Sequence, residues 1–71
     1  MNQPKLTDFG LRVKTELLKR GMTQSDLEKQ VSKETGLFVD CGYMYKIFTG
    51  KRTPEKVISS ICKILSLSEP D

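Results

Sequence analysis

The stretch GMTQSDLEKQVSKETGLFVDCGYMYKIFTGKRTP, residues 21–54, decides the fold. It holds two helix starts and two helix stops in close succession. Thr23 is a short hydroxyl side chain placed before an apolar repeat, the usual way to satisfy the free N–H groups of a first turn. Asp26 follows at the third helical position, where a carboxylate suits the positive end of a helix. Leu27 and Val31 are four apart and share one face, so a helix is expected over 24–34. Thr35-Gly36 ends it. Asp40 is the next cap, for a helix over 41–49 whose inward stripe is Met44, Ile47 and Phe48. Gly50 closes that helix, and Lys51-Arg52-Thr53 forms a basic turn.

The same reading extends outward. Toward the N-terminus, Thr7 or Asp8 caps a helix over 7–20. Phe9, Val13 and Leu17 recur every fourth residue along it, Leu6 and Leu18 flank that face, and Gly21 stops it. Toward the C-terminus, Pro54 opens a fourth helix as a favoured first residue. Val57, Ile58, Ile61, Ile64 and Leu65 give that helix a broad apolar face, with Leu67 just beyond. The fold class expected is all-α: one compact domain of four or five helices, with an ordered core over about 6–67. The expected core is Phe9, Val13, Leu17, Leu27, Val31, Met44, Ile47, Val57, Ile61 and Leu65.

Bulk properties narrow the function. A chain of 71 residues makes one domain with a lean core and little room for a large pocket. Its composition, 37% hydrophobic and 30% charged, is that of a globular domain. The formal charge of +3 and pI near 9.0 are compatible with an anionic partner without showing one. The chain has no histidine, and its two cysteines, Cys41 and Cys62, lie at no metal-ligand spacing, so no metal or other cofactor is expected. Glycine-rich phosphate loops and clustered carboxylate pairs are missing too, which argues against an enzyme. No signal peptide or membrane-spanning run is read, and a bacterial cytosol or nucleoid is the expected location, with no membrane partner and no small-molecule substrate.

In their order and spacing, Met22, Thr23, Gln24, Leu27, Val31, Val39, Asp40, Met44, Ile47, Gly50, Lys51, Arg52 and Pro54 resemble the phage-repressor/Cro-like, XRE-type helix-turn-helix family. The resemblance runs from Leu6 to Leu67. It implies a lambda-repressor-like DNA-binding domain whose third helix lies in the major groove. The chain departs from the family pattern after Val31. Ser32 to Phe38 intervene, an excess of about six residues, tolerable because loop-closure cost grows slowly with length. Leu37 and Phe38 are expected to tuck into the core. Phe48 stands where the family often has a polar residue.

The residues themselves support that role for the third helix. A helix fits the major groove. With Met44, Ile47 and Phe48 inward, Gly42, Tyr45, Lys46 and Thr49 face out, and Cys41 and Tyr43 stand at the edges. Tyr45 is expected outward and Tyr43 packed. No carboxylate lies on that face beyond the capping Asp40. Gln24, beside free N–H groups at a helix start, is a candidate phosphate ligand. Lys51 and Arg52 are candidates for the crossing phosphate backbone. Cys62 is read as core.

The function expected is a sequence-specific regulator that binds double-stranded DNA, of phage or mobile-element type. A weak symmetric dimer through helix four, with Ile58 and Leu65 or Leu67 in contact, is expected on a palindromic site. The alternative is a small antirepressor-like module that binds a protein through helix four. RNA binding ranks lower, since no sheet is expected to carry exposed aromatics.

Overall fold

Three of the four helices begin where the sequence sets an oxygen-bearing side chain before an apolar repeat. The computed structural model describes residues 5–68. The elements are α1 (Asp8–Arg20), α2 (Gln24–Thr35), α3 (Cys41–Phe48) and α4 (Glu55–Leu65), with no strand and no fifth helix among the described residues. Thr7 caps α1 by accepting from the Gly10 N–H at 3.0 Å. Thr23 and Asp26 form a reciprocal capping box on α2, each side chain accepting from the other residue's N–H at 3.0 Å. Asp40 caps α3 by accepting from the Tyr43 N–H at 2.8 Å. Pro54 sits one place earlier than expected, flanking α4 rather than opening it, and supplies no side-chain cap.

All ten expected core residues are buried, and Phe48, Val39 and Cys62 join them. The α4 helix packs against both α1 and α2. That explains its broad apolar face: Val57, Ser60, Ile61, Cys62 and Leu65 are all buried, with Ile58, Ile64 and Leu67 half-buried against the same core. Arg20 fastens the far end, donating from Nη2 to the Leu65 carbonyl at 2.9 Å while Nε pairs with Glu16. No helix among the described residues is long and apolar enough to cross a membrane.

Leu18, which flanks the Phe9–Val13–Leu17 stripe without belonging to it, points to solvent at 83% exposure. One expectation fails locally. Leu37 and Phe38 do not enter the core and are 42% and 85% exposed. Val39 goes in instead. It precedes the Asp40 cap, and Met44 is the fourth residue of α3; apolar residues at these two positions fix the angle at which a chain enters a helix. The connector is pinned on both sides. The Leu37 N–H donates to Thr35 Oγ1 and the Val39 N–H to Ser32 Oγ, each at 3.2 Å.

Gly10 was not singled out by its sequence context, yet α1 and α3 meet there. A Cβ on Gly10 would stand 2.6 Å from the Phe48 carbonyl oxygen, a backbone atom that cannot swing aside. Gly10→Ala therefore forces the helices apart and should cost about 1–3 kcal/mol, the range for overpacking, read as a lowered urea midpoint. Acid tests a second contact. The Thr23 backbone N–H, and then its side chain, hold the Asp26 carboxyl below its ordinary value of 3.8. The capping contribution is complete above that value and disappears as pH falls through the lowered one. Urea midpoints measured down the acid limb should fall less steeply for Asp26→Asn than for the parent chain.

Candidate nucleic-acid interface

The α3 helix has eight residues, of which Met44, Ile47 and Phe48 are buried. It is about 12 Å long at 1.5 Å per residue, and a helix with its side chains is about 10–12 Å across, which the major groove admits. Cys41, Gly42, Tyr45 and Lys46 are exposed, and Tyr43 and Thr49 are half-buried. Tyr43 packs against the core while Tyr45 faces out, as the wheel requires.

The end of α3 is held by backbone rather than by cations. Thr49 N–H donates to Tyr45 O at 3.0 Å and Gly50 N–H to Ile47 O at 3.2 Å. Lys51 N–H and Arg52 N–H both reach Lys46 O, at 2.8 and 3.2 Å. Thr7 supplies the Phe48 carbonyl with two donors, its N–H at 2.8 Å and its hydroxyl at 3.0 Å. Each of the last four carbonyls is thus satisfied. Gly50 makes the turn with φ of 80°, a conformation other residues rarely adopt.

The cationic side chains are thereby left over. Basic residues at a helix end often serve to complement its negative pole. Here their head groups are not needed for the carbonyls, and among the described residues Lys46, Lys51 and Arg52 form no ion pair. Lys51 Nζ lies 5.9 Å from the centre of the Tyr45 ring. Lys46 and Arg52 line one open depression together with Phe38, Asp40, Gly42 and Tyr43. No carboxylate occurs between Cys41 and Pro54.

Gln24 stands at the other end of the surface. Its Nε2 donates to Glu28 Oε2 at 3.0 Å and lies 3.8 Å from Cys41 Sγ, so the starts of α2 and α3 adjoin. With Asp26 and Glu28 beside it, this helix start is less inviting to a phosphate than its sequence suggests, and Gln24 must leave Glu28 to donate elsewhere. Thr49 donates its hydroxyl to Tyr45 O at 2.8 Å and offers only an acceptor outward. Cys41 is on the surface and Cys62 in the core, which separates the two thiols. Among the described residues no group of three or more His, Cys, Asp or Glu could hold a metal ion.

None of the nine candidates, Gln24, Cys41, Gly42, Tyr43, Tyr45, Lys46, Thr49, Lys51 and Arg52, is buried. Phe38 is the residue that sequence reasoning left out. The signal was present in Val39, whose place before a cap commits it inward and turns its neighbour outward. Comparisons with protein families, characterised proteins and solved structures find no match.

Gly42 separates fold from interface. A Cβ there meets only Asp40 Oδ1, at 3.6 Å, an ordinary contact. Packing does not require the glycine, and alanine is the better helix former by up to about 1 kcal/mol. Gly42→Ala should raise the thermal midpoint slightly. If the bare backbone is there to meet a ligand, the same variant should bind duplex DNA more weakly.

Proposed function

We propose that this chain is a regulator that binds double-stranded DNA in a sequence-specific manner, with the outer face of α3 in the major groove. The observation that carries this reading is the set of three cations, Lys46, Lys51 and Arg52, gathered at one end of α3, with no ion-pair partner among the described residues and with the helix-end carbonyls already satisfied by other donors. A positive surface around a groove-sized helix suits a partner with a regular array of phosphates. Lys46 and Gly42 sit at the centre of the exposed face and would meet base edges. Lys51 and Arg52 would meet phosphate. The ordering Thr23-Gln24, Asp40 and Gly50-Lys51-Arg52, which resembles phage-type regulators, supports the same assignment.

The protein-docking alternative drew on the apolar face of α4, and that face is turned inward here. Pairing of two copies on a palindrome loses Leu65, which is completely buried, and would use the half-buried Ile58 and Leu67.

Selection from a random duplex pool tests the reading. An enriched sequence is expected, and a palindrome within it would report pairing directly. Binding to that duplex should weaken steeply with salt. Replacing Lys51 and Arg52 together by alanine should weaken binding to all duplexes alike and flatten the salt slope by up to about two. A changed base preference in that double variant would contradict their role at phosphate, and a pool with no enriched sequence would contradict sequence-specific binding.

A further inference from the structure

We propose that Phe38 is a specificity-determining residue whose ring takes the 5-methyl group of a thymine in the major groove; this rests on the DNA-binding reading above. Phe38 is 85% exposed, the most exposed large apolar side chain among the described residues. Its backbone is held at both sides. Leu37 N–H is bonded to Thr35, Val39 N–H to Ser32, and the Val39 side chain is buried. The ring is therefore presented from a fixed base rather than left over from a loose loop.

Its surroundings define the occupant. Phe38 shares its depression with Lys46 and Arg52. Asp40 is also there, but its Oδ1 is engaged by the Tyr43 N–H at 2.8 Å. Gly42 also lines the depression and contributes no side chain to fill it. A purely apolar partner would leave two cations facing it without counter-charge. A simple anion would leave the ring idle. The major groove of DNA offers both chemistries side by side, phosphates along its edge and thymine methyl groups on its floor, and phenylalanine is a known type of partner for that methyl. The ring lies in the segment that joins α2 to α3, two residues before the α3 cap, so whatever docks on α3 meets Phe38 beside it.

The test uses the full chain and the best duplex recovered from the random pool. Each thymine is replaced in turn by uracil, which removes only the methyl, and affinity is measured for the parent protein and for Phe38→Ala. One thymine should cost the parent protein about fourfold on losing its methyl, the worth of one buried methylene. The same change should cost Phe38→Ala nothing. The variant's thermal midpoint should equal the parent's, because the ring is exposed. Equal methyl effects in both proteins, or unchanged affinity in the variant, would overturn the assignment while leaving DNA binding intact. Loss of affinity in the variant with no methyl effect in either protein would also overturn it, placing the ring on sugar or backbone. A pool that enriches no duplex would overturn both this and the reading it rests on. Preference for an acidic peptide carrying an apolar residue, in direct competition with that duplex, would overturn the choice of occupant.

Discussion

The Phe48 carbonyl is the point on which the arrangement of this domain turns. A helix of eight residues is too short to hold together in water by itself, so α3 takes its stability from what surrounds it. On its inner side that is Met44, Ile47 and Phe48 in the core. At its end it is Thr7, which donates twice to one carbonyl and in the same geometry accepts the Gly10 N–H that starts α1. One hydroxyl thus closes α3 and opens α1. The contact is possible because Gly10 has no side chain between the two backbones. The orientation of the outer face of α3 follows from this junction.

The α4 helix has a different role. It carries none of the nine candidate nucleic-acid contacts, packs against α1 and α2, and buries Val57, Ser60, Ile61, Cys62 and Leu65. A small domain buries a modest share of its surface, and spending a wide apolar arc on two neighbours is one way to build a sufficient core. Arg20 ties the C-terminal ends of α1 and α4 together at the side of the molecule away from the Thr7 junction. The Ser60 hydroxyl, buried in this packing, has no hydrogen-bond partner among the described residues, which is a local cost to stability.

Charge is divided along the same lines. Asp26 and Asp40 are used at helix starts, where backbone N–H groups occupy them, and Glu16 is paired with Arg20. Among the described residues, Lys51 and Arg52 after α3 have no carboxylate partner. Their backbone N–H groups both converge on the Lys46 carbonyl, which fixes where the side chains leave the chain. A mildly basic chain thereby presents a distinctly basic surface, and it does so beside an exposed aromatic ring. The proposal of DNA rather than a lone anion as the partner rests on that coincidence of charge and apolar surface.

The local pattern determined a great deal. Thr7, Thr23 and Asp40 announced three helix starts, and four-residue spacing chose the inward faces, because capping and periodicity act over a few residues and are written in order along the chain. The same arithmetic placed Lys46 and Tyr45 outward and Tyr43 at the edge. Other features needed the third dimension. The requirement for glycine at position 10 comes from a backbone distant in sequence. The outward turn of Phe38 was legible in Val39, which stands directly before the Asp40 cap, but packing decided which residues share the depression with its ring. Gln24 and Glu28 are partners across one turn, but the approach of Cys41 to Gln24 depends on how α2 and α3 are set against each other. The breadth of the apolar face of α4 is explained by packing only in part: Val57, Ile61, Cys62 and Leu65 are buried in the core, while Ile58, Ile64 and Leu67 stay half-buried at its edge. Sequence spacing fixes which way a side chain points from its own helix; only packing decides what stands in front of it.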